Sequence, residues 1–287
     1  MQKLQQELSK IIDYALIEDG ALLDATSDLA FEDKKIVKFN IIAKKDIIFC
    51  GNDVINLVFD KLCRKNKFAG SEFSVEQKFS DGDFIKSGQI IANGRGEAKL
   101  ILAGERVLLN IIQHLSGIAT MTNNFIKKLN NNKIKILDTR KTLPNIRLLQ
   151  KYAVTKGGGV NHRFNLSDMI MIKDNHVAIA GSIENAIKSC RKNKKLKIEV
   201  ECDNKQQVIS AIASNPDIIM LDNMSISDIV QCAQLIRSHS KEIKIEVSGG
   251  INIDNISDYS DLDIDFISIG YLTHSAIASD ISLECII

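Results

Sequence analysis

The densest group of chemistry-bearing residues lies between residues 134 and 177. The whole chain has a formal net charge of only +1, so these cations are not part of a generally positive surface. Arginine forks match carboxylate and phosphate oxygens, and a cleft lined by such groups concentrates anionic ligands. The segment therefore predicts a site for a polyanion, with surface ion pairs as the simpler alternative. Its basic residues are Arg140, Lys141, Arg147, Lys151, Lys156, His162, Arg163, Lys173 and His176.

Short apolar runs recur from residue 134 onward, with helical patterns between them. Runs without alternation are typical of parallel strands that are covered on both faces. Successive βα units indicate an α/β barrel. An open doubly wound sheet is the structural alternative, although no GxGxxG motif follows the first strand. The runs are residues 134–137, 169–172, 198–200, 218–221, 243–247 and 266–269.

Two acidic residues follow neighbouring runs, at the strand ends where barrels carry their active sites. Glu199 and Glu201 are two apart on one strand and point the same way, into the barrel. Glu201 and Asp222 then form a pair that can bind Mg²⁺, directly or through water, or stabilise a cationic transition state. The structural alternative is that they only neutralise Lys173 and its neighbours.

Small residues follow the last two strands, where barrels commonly hold a phosphate. Bare backbone N–H groups in such turns can approach phosphate oxygens closely, although a turn-only role is the alternative. The candidates are Ser248, Gly249, Gly250 and Gly270.

These parts together fit a group transfer from a phosphorylated sugar diphosphate to an anionic acceptor. A class I aldolase is an alternative, because Lys173 at a strand end could form a Schiff base if it were desolvated. An aldolase has little use, however, for a second cationic cluster at Arg140 and Arg163. A non-catalytic phosphosugar-binding barrel would leave the acidic pair unexplained.

The chain before the barrel reads as a mixed α+β domain over residues 1–115. It begins with an amphipathic helix, continues with short strands, and ends with a helix over residues 97–115 that carries Arg106 on a polar face. Ser116-Gly117 predicts the end of that helix and the domain boundary. We expect the barrel over residues 116–271 and a C-terminal tail, residues 272–287, that packs on the first domain.

The overall composition argues against some classes of partner and predicts a cellular compartment. Basic and acidic residues balance at 37 to 36, so no global field favours nucleic acid or a membrane surface. No apolar run approaches the roughly 18–20 residues that span a bilayer, and no signal peptide is recognisable. Six cysteines without a CxxC pair argue against a zinc site or a disulfide framework. A reducing cytoplasm is therefore expected.

The motifs resemble those of the quinolinate phosphoribosyltransferase family. The resemblance is carried by GGGVNHR and KDNH within residues 138–176, together with AGERVLLNIIQHLSGIAT, IEVEC, IMLDN, VSGGI and SIGYLTHS. It covers the chain from about residue 80 to the end, and residues 1–80 more weakly. It implies an N-terminal α/β sandwich, an open barrel, and a homodimer or homohexamer in the cytoplasm. The implied reaction joins quinolinate to phosphoribosyl pyrophosphate with Mg²⁺, releasing CO₂ and pyrophosphate. A paralogue associated with molybdate transport is the alternative within the fold.

The resemblance also implies a role for each matching residue. Lys141 would lie between acceptor and pyrophosphate, and Glu201 and Asp222 would face the ribose and its metal. Arg106, supplied by the neighbouring subunit, would complete the acceptor pocket. The implied ligands of the two quinolinate carboxylates are Arg106, Arg140, His162, Arg163 and Lys173, and those of the 5′-phosphate are Ser248, Gly249, Gly250 and Gly270.

Two stretches depart from the family pattern. Thr142-Leu143-Pro144-Asn145 replaces the usual TTPG, and the early acidic motif is loosened to Glu18-Asp19-Gly20 with Asp24 and Thr26.

Overall fold

The computed structural model describes residues 2–31 and 34–286. They form two compact units. The first comprises the described residues up to Asn123, Leu143–Gly158, and the described residues from Ala276 onward; the second comprises Asn124–Thr142 and Gly159–Ser275. The predicted boundary after residue 115 stays a prediction.

The N-terminal part of the first unit alternates helices with short strands. A four-stranded antiparallel sheet forms its frame, with β1 between the C-terminal strand and β5, and β3 on the outer side of β5. Phe39, Phe59 and Phe73 bring their rings together with centroids 4.6–6.4 Å apart and form an aromatic core. The elements are α1 (Gln2–Glu18), α2 (Ala25–Ala30), β1 (Ile36–Ala43), β2 (Ile47–Ile48), α3 (Asn52–Cys63), β3 (Phe73–Gln77), β4 (Phe84–Ile85) and β5 (Ile90–Glu97).

One long helix, α4 (Ala98–Leu129), follows β5 without interruption. The prediction that it ends at Ser116-Gly117 is wrong. Ser116 Oγ accepts a hydrogen bond from the Cys50 N–H at 3.0 Å. A Cβ at Gly117 would lie 2.2 Å from the Ile277 carbonyl oxygen. Both residues are small because other backbone segments pack directly against the helix there, and not because the helix stops.

The second unit is built on six parallel strands in the order β6-β11-β10-β9-β8-β7. The remaining elements of the chain are β6 (Lys135–Leu137), α5 (Arg147–Lys156), β7 (Ile170–Ile172), α6 (Asp174–Ala180), α7 (Ile183–Cys190), β8 (Ile198–Cys202), α8 (Lys205–Ala213), β9 (Ile218–Asp222), α9 (Ile226–His239), β10 (Lys244–Ser248), β11 (Phe266–Ser268), α10 (Tyr271–His274) and β12 (Ile281–Ile286).

This order confirms the open barrel. Strands β7 to β11 pair in chain order, and β6 pairs with β11 and not with β7. A doubly wound sheet would instead reverse its strand order at a switch point. Among the described residues, no ladder joins β6 to β7, so the barrel stays open at that position.

Two segments that follow the barrel start belong to the first unit. Helix α5 lies in Leu143–Gly158, and β12 pairs along β1 with Phe39 opposite Cys285.

Among the described helices, none has the length and apolarity that crossing a bilayer requires.

Candidate active site

A cavity of about 360 Å³ opens at the carboxyl ends of the barrel strands. This is the volume of a small-molecule site, and its position is the one that α/β barrels use for catalysis. Every lining residue belongs to the second unit. They are Thr139, Arg140, Lys141, His162, Arg163, Met171, Lys173, Glu201, Met220, Asp222, Glu246, Ser248 and Ser268.

The loop after β6 brings the first two cations into the cavity. The Lys141 N–H donates to Thr139 Oγ1 at 3.0 Å, and the Thr273 hydroxyl donates to the Lys141 carbonyl at 2.7 Å. Side-chain hydrogen bonds to backbone groups thus fix the turn that carries Arg140 and Lys141.

Arg163 faces the cavity from the loop that precedes β7. Its Nη1 donates to the Met169 carbonyl at 3.2 Å, and its Nη2 donates to Met171 Sδ at 3.3 Å. Burial, and then the charge of Arg140, lower the pKa of Arg163. Two guanidinium groups in one partly buried cavity repel each other, and a bound anion would relieve that repulsion.

Lys173, directly after β7, forms an ion pair with Glu201. The contact joins one carboxylate of the predicted acidic pair to one cation of the cavity. The Lys173 side chain remains 41% exposed. A Schiff-base lysine at this position would have to be desolvated, so the site does not favour an aldolase.

Asp222 is held by the turn that follows β9. Asn223 adopts a left-handed backbone with φ 55° and donates through Nδ2 to Asp222 Oδ2 at 2.6 Å. The Asn223 N–H also donates to the Ser248 carbonyl at 3.0 Å. The carboxylate at the end of β9 and the turn after β10 are therefore linked.

The glycines of the predicted phosphate loop occupy conformations that other residues adopt at a cost. Gly249 has φ 93° and Gly250 has φ 64°. A Cβ at Gly249 would lie 2.2 Å from Asn223 Oδ1, whereas one at Gly250 would meet nothing within 4 Å. Gly270 is different, because it makes room for Lys141, whose Cδ would lie 3.0 Å from an added Cβ.

Below the rim lies a buried cluster of His162, Glu199 and Glu246. His162 Nε2 is 3.2 Å from a Glu199 oxygen and 3.5 Å from a Glu246 oxygen. Burial alone would lower the pKa of His162, but the two nearby carboxylates outweigh it and raise that pKa. Burial also raises the pKa of Glu199, against the opposing effect of His162.

The basic residues that the sequence groups together are divided between the two units. Arg147, Lys151 and Lys156 lie on α5 of the first unit, and Lys151 is fully buried there. His176 lies on α6, where its Nδ1 accepts from the Lys173 N–H at 3.0 Å. Arg106 lies on the exposed side of α4, in the first unit. Its contribution to a neighbouring subunit's site stays a prediction.

Several lining residues are absent from the sequence-based set, namely Thr139, Met171, Met220, Glu246 and Ser268. Most of these residues could have been found from one sequence pattern. Side chains two apart on a strand face the same side, so Met220, Glu246 and Ser268 lie one layer below Asp222, Ser248 and Gly270. Applying the Glu199–Glu201 argument to every strand would have found them.

The oxygen donors of the cavity suit a hard divalent cation. Glu201 and Asp222 end neighbouring strands, and both line the cavity. Carboxylate oxygens are the ligands that Mg²⁺ takes from proteins beside substrate phosphates. These residues therefore fit the predicted ion.

An open α/β barrel with a cationic pocket, an acidic pair and a glycine turn at its strand ends defines an enzyme class that transfers phosphorylated sugars to anionic acceptors. Sequence comparison agrees. Residues 24–116 match the family described as quinolinate phosphoribosyl transferase, N-terminal domain, and residues 118–284 match its C-terminal domain. The chain belongs to the quinolinate phosphoribosyltransferase family.

Individual relatives extend over nearly the whole chain. A Bacillus subtilis protein described as a probable nicotinate-nucleotide pyrophosphorylase (carboxylating) is 41% identical over 280 residues, covering 97% of this chain and 93% of the relative. The solved nicotinate-nucleotide pyrophosphorylase of Francisella tularensis superposes with a TM-score of 0.90 at 36% identity, covering 98% and 97%. That of Ehrlichia chaffeensis gives 0.88 at 38% identity, covering 97% and 98%.

One departure from the family pattern has a structural explanation. Asn145, which stands where the family has glycine, adopts φ 65°. Asparagine is among the residues that tolerate this left-handed region best, so the backbone keeps a conformation that glycine favours.

Proposed function

We propose that this chain transfers phosphoribosyl from phosphoribosyl pyrophosphate to quinolinate, with loss of CO₂, giving nicotinate mononucleotide and pyrophosphate. The proposal rests above all on one cavity in which Arg140, Arg163 and Lys173 face the carboxylates of Glu201 and Asp222. The names of the relatives support it, since the Bacillus subtilis protein is described as carboxylating and the two solved structures are nicotinate-nucleotide pyrophosphorylases. A molybdate-associated activity has no comparable support among them.

The cations of the cavity form the acceptor half of the proposed site. Quinolinate carries two neighbouring carboxylates, and Arg140, Arg163 and Lys173 offer charge-assisted donors for them. Lys173 would exchange its pairing with Glu201 for an acceptor carboxylate. Arg106 of a neighbouring subunit would add a further donor, while Lys141 lies between the acceptor and the departing pyrophosphate.

The phosphoribosyl half is the acidic pair with the glycine turn. Ser248, Gly249, Gly250 and Gly270 would bind the 5′-phosphate, through backbone N–H groups that glycine leaves uncovered. Glu201 and Asp222 would hold Mg²⁺, which when bound neutralises pyrophosphate charge. Their carboxylates also face the ribose carbon at which positive charge develops.

The bonds change in two stages. The quinolinate nitrogen forms a bond to the anomeric carbon while the bond to pyrophosphate breaks, and Lys141 stabilises the charge of the leaving group. The ring nitrogen is then cationic, so the electron pair of the breaking C2–carboxylate bond is stabilised next to it. CO₂ departs, and a proton added at C2 completes nicotinate mononucleotide.

A direct assay tests the reaction. Purified protein with quinolinate, phosphoribosyl pyrophosphate and Mg²⁺ should release CO₂ and nicotinate mononucleotide, and a chelator should stop the release. Nicotinate lacks the second carboxylate and should be a poor acceptor. Equal turnover of nicotinate would contradict the two-carboxylate pocket.

The predicted assembly is a cytoplasmic homodimer, or a hexamer built from such dimers, in which Arg106 reaches the partner's site. Inactive Arg106→Ala subunits mixed with inactive Lys173→Ala subunits would form heterodimers with one intact site. Unbiased exchange should restore about a quarter of wild-type activity, because half the dimers are mixed and each has one good site of two. Verified exchange without recovery of activity would place Arg106 in its own chain's site.

A further inference from the structure

The buried cluster of His162, Glu199 and Glu246 has no assigned role beyond the predicted contact of His162 with the acceptor. Three elements supply it, namely the loop before β7, strand β8 and strand β10. Glu199 and Glu246 are fully buried. Burying two carboxylates costs free energy unless nearby groups compensate for it, so the cluster needs an explanation.

A metal ion is the first explanation to consider. One imidazole and two carboxylates make a common ligand set, and the candidate ligand atoms lie within 4.8 Å of one another. The hydrogen bonding of the ring excludes it. The Arg163 N–H donates to His162 Nδ1 at 2.7 Å, so Nδ1 carries no proton. The ring proton therefore lies on Nε2, which then has no lone pair for a metal.

The same proton explains the two glutamates. Nε2–H faces one oxygen of Glu199 at 3.2 Å and one of Glu246 at 3.5 Å. The carboxylates come from strands on either side of β9, so together they fix both the tautomer and the orientation of the ring.

The peptide at His162–Arg163 is thereby held at two points. The His162 N–H donates to Oδ1 of the fully buried Asp138 at 2.9 Å, and the Arg163 N–H donates to the ring. The direction of the Arg163 side chain depends on this peptide.

We propose that Glu199 and Glu246 are positioning residues for the acceptor pocket, which act through the His162 ring to aim the Arg163 guanidinium at a carboxylate of the acceptor. The inference rests on the proposed quinolinate-binding function and assigns residues to that site.

The first experiment measures binding in Glu246→Gln and Glu199→Gln. Glutamine keeps the shape but removes the negative charge, which weakens the electrostatic attraction between the side chain and Nε2–H. Calorimetric titration should show quinolinate affinity falling roughly fivefold to thirtyfold, with phosphoribosyl pyrophosphate affinity within about twofold of wild type. Glu97→Gln is the matched control, since Glu97 is a buried glutamate of the first unit that accepts from Ser71. It should leave quinolinate affinity unchanged.

The second experiment separates positioning from general packing. If Glu246 acts through Arg163, the Glu246→Gln change should cost little further affinity once Arg163 is alanine. The double variant should bind quinolinate about as weakly as Arg163→Ala alone. The same fold-loss in both backgrounds would overturn the inference, as would wild-type quinolinate binding by both glutamine variants.

A third measurement needs no substrate. ¹⁵N spectra of histidine-labelled protein should show His162 with a protonated Nε2 and a bare Nδ1, assigned by loss of the signals in His162→Gln. The opposite tautomer, or stoichiometric Zn²⁺ uptake that disappears in Glu199→Gln, would overturn the inference.

The outcomes are distinguishable from failure of the proposed function. A wild-type protein that neither binds nor converts quinolinate removes the function itself. A wild-type protein that does both, beside glutamine variants that match it, removes only the positioning role.

Discussion

Replacing Arg163 tests the acceptor pocket most directly. The guanidinium is partly buried beside Arg140, so its charge is less screened than on an open surface. Losing a charge-assisted hydrogen bond costs about 1.5–3 kcal/mol. Removal of Arg163 also relieves its repulsion with Arg140, which reduces the net loss. We therefore expect Arg163→Ala to weaken quinolinate binding by about 2 kcal/mol, or roughly thirtyfold in Kd.

Calorimetry with each substrate provides the assay. Phosphoribosyl pyrophosphate with Mg²⁺ should bind Arg163→Ala nearly as well as wild type, because its proposed ligands lie at the ends of β6, β8, β9, β10 and β11. Arg163→Lys should fall between the two, since it keeps the charge and loses the planar fork. Arg191→Ala is the matched control; Arg191 pairs with Asp217 at 3.2 Å and does not line the cavity. Equal losses for both substrates in Arg163→Ala would refute the division of the site.

Asp222→Asn should lower kcat more than it weakens quinolinate binding, because the lost charge matters most when the ribose becomes cationic; steady-state kinetics with an unchanged kcat would contradict this. Borohydride reduction during turnover should leave no adduct on Lys173, and mass spectrometry would reveal one if the aldolase alternative were right. Asp265→Asn should lower the free energy of unfolding by about 1–2 kcal/mol at pH 7. Burial raises the pKa of Asp265, but hydrogen bonds from Arg237, Lys244 and the Ile245 N–H outweigh it and lower that pKa below its ordinary 3.8. The wild-type advantage should be present above pH 3.8 and disappear as pH falls through the folded-state pKa; denaturant unfolding at several pH values measures it.

The barrel strands were predictable because burial on both faces leaves a direct trace in the sequence. Each predicted apolar run overlaps a strand, and most of the residues proposed for the site follow such a run. The helix end predicted at Ser116-Gly117 was wrong because that pattern does not show what packs against the helix. Small residues indicate a break only when nothing packs on them, and here Cys50 and Ile277 contact the helix at those positions. Sequence spacing contains no information about such distant partners.

The sequence also did not predict that residues 143–158 belong to the first unit. Its basic residues lie between two cationic motifs of the cavity, so linear proximity suggested one site. The chain instead leaves the barrel after Thr142 and returns at Gly159. The structure places Lys151 on the buried side of a helix in the first unit, and Lys151 is not among the residues that line the cavity.

The alternation along the strands separates two layers of the barrel that differ in their chemistry. The outer layer has Glu201, Asp222, Ser248 and Gly270, which are proposed to contact substrate. The layer below has Glu199, Met220, Glu246 and Ser268, of which the two glutamates are fully buried. A barrel interior that served only packing would place apolar residues at both positions, since replacing buried charge with apolar side chains is often neutral or stabilising. Glu199 and Glu246 lie on either side of Met220, and both are directed at one histidine nitrogen. We therefore infer that these two glutamates lower stability and orient the His162–Arg163 peptide, on which the acceptor pocket depends.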